Sequence, residues 1–462
     1  MDDIEINNLI TDEVYDSATT KYNEVQWEYI TDSNGLGYQD GLIKFQTSSL
    51  RSKYVCMRDC VLQVPLNIVA SGSNYTQASL VVFKQSILDM FFSVLLKSSS
   101  GQVVVNDQNV SIYNKLRLLL EHDTDWETTE GPSLCFSKDK AVLPTATVGI
   151  VNPTNATTNT GFASKIQFFK QQATFATGGA PANNFGFVVS IPLRYLHDIF
   201  ESGLNFPMLN SVWELNIGLQ AYNNTTLSPM VTDSSLLNPP VITVGSATVP
   251  GSGLVLNQCR LYYKSIKFSP EINKQIYEKL ARGWQKKINF RVCDTYVPTL
   301  GTDINQTSGT INRQLNPACV NPTRVFLLAP ATNTLTTAGG SSNSGLANYL
   351  GSFGSASILV DNQSYYNNQL NTSEDWYNIL KEQMPSSGGL ISFADFNAAY
   401  HIMCYDISRL KGRSVNPQAA VSIQVNATRT DSTACDYYYL IERADSCVLN
   451  MSTGDVQVVS VH

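Results

Sequence analysis

The chain has 462 residues, 43% hydrophobic and only 15% charged, with a formal net charge of −7. Its length exceeds the roughly 250–300 residues that one core sustains, so two domains are expected. The charged fraction lies below the roughly 25% usual for soluble chains, which points to a surface that packs against copies of itself, and no Lys/Arg cluster offers a counterion-releasing surface for nucleic acid.

The charge is concentrated at the start. Residues 1–40 hold ten acids (Asp2, Asp3, Glu5, Asp12, Glu13, Asp16, Glu24, Glu28, Asp32, Asp40) against Lys21 alone. This acidic region reads as a solvated tail or as an arm that docks on a basic partner surface. Met1 leads into Asp2, Asp3 and Glu5 rather than into a basic and then apolar leader, so synthesis in the cytosol is expected. Ile87 to Leu96 is the most apolar stretch, but it is interrupted by Asp89 and Ser93 and falls far short of the ~20 residues that span a bilayer, so no transmembrane segment is expected.

Short β-branched and aromatic runs then alternate with turn-forming tracts. Strands are predicted at Gly41–Gln46, Val61–Val69, Lys165–Phe169, Phe185–Ile191, Val212–Leu219 and Val241–Val244. Loops are predicted near residues 150 and 180 and over Asn223–Gly253. Ile112, Leu116 and Leu119 share one face of a predicted helix, Ile112–Glu121, whereas Ser79–Lys97 fits either a helix or a buried strand.

A helical pattern interrupts the strands near the middle. Ser269 and Pro270 supply a cap and a first-turn proline, Ile272, Ile276 and Leu280 recur every four residues, and Gly283 is a stop. Ile288, Phe290 and Val292 then alternate with polar neighbours, so the period returns to 2 and a second sheet begins. Beyond it, strands are predicted at Arg324–Leu328, Ile358–Asp361, Ala420–Asn426, Tyr437–Ile441 and Val456–Val461. A helix over Ser373–Gln383 opens on a Ser cap with Glu374 and Asp375 in its first turn. Many short strands without a βαβ rhythm make the chain all-β, two sandwiches or jelly rolls in tandem. The expected division is an acidic arm over 1–40, a first roll over 41–265 and a second over 266–462, with the linking helix at about 270–282.

The chemistry of a catalyst is missing. There is no Gly-Lys pair for a phosphate loop, and Gly35-Leu-Gly37 lacks the strand and third glycine of a dinucleotide site. His122, His197, His401 and His462 are isolated. Cys56 and Cys60 have no second pair, so neither set is read as a metal site. The nine cysteines are odd in number and scattered, which favours reduced core thiols. Glu121, Asp123 and Asp125 form the densest acidic cluster and read as a solvated turn. Lys286, Lys287 and Arg291 form only a short basic patch, of which Lys286 and Lys287 are read as an exposed end that meets a neighbouring subunit or the acidic arm. No catalytic, cofactor-binding or metal residue is assigned.

In their order along the chain, several segments resemble the double jelly-roll major capsid proteins of small double-stranded DNA viruses, of the polinton-like, adintovirus and virophage type. Ile191–Leu219 is similar to the pre-terminal strand, floor helix and final strand of their first roll. Residues 268–297 resemble the linking helix and opening strand of the second roll. Leu315–Pro330, with its Pro-x-Arg, and the stretches from Ile358, Ile391 and Val448 resemble its later elements. The resemblance implies two eight-stranded rolls side by side in each subunit and a homotrimeric, pseudo-hexameric capsomer that tiles an icosahedral shell. It also implies neighbouring capsomers, penton and minor capsid proteins as partners, a place in the virion, and no enzymatic activity. Two other classes fit a β-rich chain. A carbohydrate-binding or glycoside-cleaving protein needs exposed aromatics or two facing carboxylates, and another virion component, such as a vertex protein, is expected as a single roll.

Overall fold

The computed structural model of the chain describes residues 22–34, 41–69, 81–83, 85–139, 184–209, 212–220, 230–232, 241–245, 255–299, 301–304, 309–330, 353–364, 370–398, 400–408, 420–429 and 434–458, with isolated positions between them. Sixteen strands in four antiparallel sheets carry the architecture. In the first half they are β1 (Tyr22–Thr31), β2 (Leu42–Gln46), β3 (Val61–Val69), β4 (Phe91–Ser98), β5 (Val103–Gln108), β6 (Asn184–Pro192), β7 (Trp213–Leu219) and β8 (Arg260–Phe268). In the second half they are β9 (Gln285–Tyr296), β10 (Gly309–Cys319), β11 (Pro322–Leu328), β12 (Phe353–Val360), β13 (Gln363–Ser364), β14 (Met403–Asp406), β15 (Val421–Arg429) and β16 (Tyr438–Asn450).

The pairing is the same in both halves. The first half forms one sheet in the order β1-β8-β3-β6 and another in the order β2-β7-β4-β5. The second repeats this as β9-β16-β11-β14 and β10-β15-β12-β13. First strand beside eighth and third beside sixth, facing second beside seventh and fourth beside fifth, is the jelly-roll winding, so the chain is two eight-stranded jelly rolls in tandem.

Alternation drives each sheet onto its core. In β15, Val421, Ile423, Val425 and Ala427 face inward and Ser422, Gln424, Asn426 and Thr428 face outward, one residue in and one out along the strand. Arg429 ends the row buried and donates to the carbonyls of Gln306 (2.8 Å) and Thr307 (2.9 Å), which satisfies a charge that burial would otherwise penalise. All nine cysteines are buried within these cores, and none is in a disulfide.

Among the helices that decorate the rolls are α1 (Val110–Leu120), α2 (Thr124–Thr129), α3 (Pro270–Ala281), α4 (Ser373–Lys381) and α5 (Phe393–Ala398). Helix α3 connects β8 to β9 and buries Ile272 and Ile276. Gly283 follows it at φ +74, and the amides of Gly283 and Trp284 close back on the carbonyls of Leu280 (3.0 Å) and Lys279 (3.3 Å), a glycine-terminated helix end. Helix α1 is buried on every side, not on one face, because it lies between the rolls.

Several sequence expectations change. Ser79–Lys97 resolves to strand where it is described, with β4 preceded by a short turn at Ile87–Met90 whose cap is Ser86. The cap of α4 is Thr372, whose hydroxyl accepts from the Asp375 amide at 3.2 Å, and not Ser373. Trp213–Leu219 is the penultimate strand of the first roll, since β8 follows it beside β1. The tract from Asn223 to Gly253 contains short strands, among them Val241–Val244 on β3, and is not wholly loop. Most of Lys165–Phe169 lies outside the described residues, and within it Lys165 and Phe168 are helical. The tract near residue 150 also lies outside them. Within residues 1–40, the described part is built into the first roll: β1 pairs with β8, Glu24 and Glu28 pair with Lys267 and Lys53, and Asp32 accepts from the Cys259 amide at 3.1 Å.

Replacing Gly283 with alanine is expected to lower stability by about 1 kcal/mol, because only the left-handed backbone and no steric clash opposes the methyl group. Gly301→Ala, also in open space but at an ordinary φ, is expected to change it by less than about 0.5 kcal/mol. Thermal unfolding of both variants checks the difference.

Candidate functional site

Where the two rolls meet, charge is buried. Glu121 directly follows α1, and Asp198 stands just before a π-helical turn at Ile199–Gly203; both belong to the first roll. From the second roll come Arg291 on β9, Arg324 on β11 and Glu442 on β16. Arg291 donates from Nε (3.2 Å) and Nη2 (2.6 Å) to Asp198 Oδ1, and its Nη1 pairs with Glu121. Arg324 holds Glu442 through two donors, one of them Nε at 2.8 Å, and its Nη2 lies 3.7 Å from Glu121 Oε1. Arg117 of α1 reaches Glu121 at 3.3 Å.

Three guanidinium groups thus meet three carboxylates. The first roll brings Arg117 with Glu121 and Asp198, a surplus of negative charge. The second brings Arg291 and Arg324 with Glu442, a surplus of positive charge, so the attraction runs across the seam. Tyr113 of α1 adds a neutral link by donating to Glu442. Burial raises the Tyr113 phenol well above its usual range, which keeps that donor protonated. Burial alone would raise the carboxyls of Asp198 and Glu121. The charges of Arg291 and Arg117 outweigh it, and both carboxyls titrate below the usual range.

The backbone joins as well. β9 is the outer strand of its sheet, and two of its outward amides are capped by first-roll carboxylates: Arg291 N donates to Asp198 Oδ2 (2.7 Å) and Cys293 N to Asp107 Oδ2 (3.2 Å). His197 Nε2 meets the same Asp107 oxygen at 2.9 Å. Further along, Lys138 Nζ binds Asp395 Oδ2 (2.7 Å), and the Tyr400 hydroxyl donates to the carbonyl of Asp139 (3.0 Å). The apolar core is continuous through this seam.

The sequence reading places some of these residues elsewhere. Of its acidic cluster, Glu121 is no solvated carboxylate but part of the seam, while Asp123 caps α2 by accepting from the Trp126 amide at 3.0 Å and Asp125 is exposed. Its basic patch divides likewise. Arg291 turns inward, Lys286 lies with Nζ 3.6 Å from the Phe206 ring centroid, where burial lowers its pKa to about 8, and Lys287 is exposed. Cys56 and Cys60 flank a short turn, with Cys60 Sγ 3.5 Å from the Cys56 carbonyl. His122 stacks on Trp126 and His401 meets the Phe396 ring edge-on, while His462 lies outside the described residues. Among the described residues no group of three potential metal ligands comes together. No described helix is long and apolar enough to cross a membrane.

No protein-family model matches the chain, and neither does any curated protein. Solved structures do match. A chain of the Sputnik virophage, from its cryo-EM structure, is 12% identical and superposes with a TM-score of 0.63 over 98% of this chain and 92% of that one. The mavirus major capsid protein is 12% identical, with a TM-score of 0.51 over 97% and 92% of the two chains. A chain of the quasi-atomic PBCV-1 virus capsid is 11% identical, with a TM-score of 0.50 over 98% and 100%. The likeness spans both rolls, so the double jelly-roll fold is common to all of them.

Removing Arg291 takes from the buried Asp198 its closest countercharge and leaves it only the more distant Arg117, 3.9 Å away. Arg291→Met is expected to cost about 3–5 kcal/mol in urea unfolding. Lys267→Met, which breaks the exposed pair with Glu24, is expected to cost less than about 1 kcal/mol. The acid limb follows from the depressed carboxyls: their contribution is complete above the unfolded-state values near 4 and is lost as pH falls toward the folded-state values. Asp198→Asn is therefore expected to flatten the decline of unfolding free energy with falling pH below about 4.

Proposed function

We propose that this double jelly roll is a viral major capsid protein whose homotrimer presents six rolls as a pseudo-hexagonal capsomer, the unit that tiles an icosahedral shell. The observation that carries the reading is the repeated strand order of two rolls held side by side by a buried charged seam, in a chain that matches proteins of viral capsids from end to end. Three such chains around one axis supply six similar wedges.

The role is structural rather than catalytic. Its place is the virion, and its partners are copies of itself, neighbouring capsomers and the penton and minor proteins that complete a shell. The division of labour within the chain follows the sheets: a first roll from β1 to β8, a tether in α3, and a second roll from β9 onward. Residues ahead of β1 form the acidic arm, which lies against neighbouring capsomers or minor proteins.

The purified chain is expected to run as a trimer of 50.8 kDa subunits in light scattering coupled to gel filtration. A monomer at every concentration tested would overturn the reading.

A further inference from the structure

Beyond the charges around Arg291, the first roll buries two lysine–aspartate pairs. Lys115 of α1 faces Asp89, which lies in the turn ahead of β4, and Lys165 faces Asp139. All four residues are at most 4% exposed, and the turn and the helix around the first pair are buried throughout.

The pairs differ in how they meet. Lys165 Nζ donates to Asp139 Oδ1 at 2.7 Å, an ordinary charged hydrogen bond. Lys115 Nζ comes closer to its partner, 2.6 Å from Asp89 Oδ1, yet too obliquely for a hydrogen bond, and neither atom completes one elsewhere among the described residues. A buried ammonium ordinarily turns its three donors onto acceptors. This one is pressed against a carboxyl group instead.

The surroundings favour an uncharged amine. Burial lowers the pKa of Lys115 against the pull of Asp89, and the charge of Lys165 lowers it further. A desolvated lysine that gives up its proton is a nucleophile. Gln85 holds both partners in place: its amide donates to Asp89 Oδ2 at 2.8 Å, and its side-chain Nε2 donates to the Lys115 carbonyl at 3.0 Å.

We propose that Lys115 and Asp89 condense in the folded chain to an isopeptide bond, a covalent link between α1 and the turn ahead of β4. One proton crosses the 2.6 Å contact from Nζ to Oδ1 and leaves an amine beside a carboxylic acid. Nζ then attacks Cγ, and the negative charge that gathers on Oδ2 is met by the Gln85 amide. The Nζ–Cγ bond forms, the Cγ–Oδ1 bond breaks, and Oδ1 departs as water with two protons of the former ammonium. The third proton stays on the amide nitrogen, so the step needs no oxidant, cofactor or outside proton. It exchanges a buried ion pair for a neutral amide, which removes the desolvation cost of two charges, and the fold supplies the proximity. The bond closes residues 89–115 into a ring containing β4, β5 and part of α1, and so anchors the helix that brings Tyr113 and Arg117 to the seam.

The test is mass spectrometry of the full chain, purified folded and then denatured. The wild-type mass is expected one water below the value its sequence gives. After trypsin, Gln85–Lys97 is expected joined to Ser98–Arg117, because trypsin does not cleave after an acylated lysine. Lys115→Arg keeps the positive charge but offers no amine to condense, and it is expected to restore the full mass and release Gln85–Lys97 as a free peptide. A wild-type chain of full mass that is cleaved after Lys115 overturns the proposal. So does a chain that has lost water while Gln85–Lys97 is free, since the water then came from another site, such as a succinimide. The wild-type digest alone decides between these outcomes, so the result does not depend on the variant folding.

Discussion

The guanidinium of Arg291 sits where the two rolls become one body. It is drawn partly out of water, and its donors are taken up by Asp198 and Glu121 of the other roll. A charge in such a place is tolerated only while its partners stay within hydrogen-bond reach, so any slippage between the rolls exposes at least one uncompensated ion. The three carboxylates and three guanidinium groups therefore set the relative position of the rolls more narrowly than apolar contact would, because hydrophobic burial is non-directional and charged hydrogen bonds are not. The seam acts as a register mark, in a core that would otherwise bury much the same area at several offsets.

Around that mark, the repeated winding finds two uses for the same strand. The first strand of any jelly roll ends its sheet and leaves a row of unpaired amides, which is a hazard in a soluble protein. β9 meets it within the chain, where first-roll carboxylates accept from its amides. β1 meets water instead, and the cations over Trp27 and Tyr29 partly shield its rings. The short α3 connection fits this arrangement: the sixteen residues between β8 and β9, twelve of them in α3, keep the second roll close to the first.

Much of the roll architecture is legible in the residues. Alternation of Val421, Ile423 and Val425, or of Ile288, Phe290 and Val292, has one physical reading, a sheet with one face dry. β1 alternates as well, Val25, Trp27 and Tyr29 with Glu24, Gln26 and Glu28, but grouping residues 1–40 by net charge hides the strand, and its apolar side chains are exposed rather than dry. Helix α1 is harder to judge. Its Lys115 and Arg117 look like a solvated face, yet Lys115 pairs with Asp89 at 2.6 Å and Arg117 with Glu121, and partners so distant in sequence as Asp89 leave no periodic trace.

By itself, then, the sequence determined the all-β class, the helical break after residue 269 and the burial of the cysteines, because periodicity, caps and composition act over a few residues at a time. Only the tertiary structure decided that Glu121 and Arg291 are half-buried partners across a seam rather than surface charges, that residues 22–31 are the first strand of a roll, and that one first strand is covered while its counterpart is open. Those outcomes depend on which roll stands beside which strand, and the energy of a buried charge is set by neighbours 170 residues away, as Arg291 and Glu121 are, and not by the residues on either side of it.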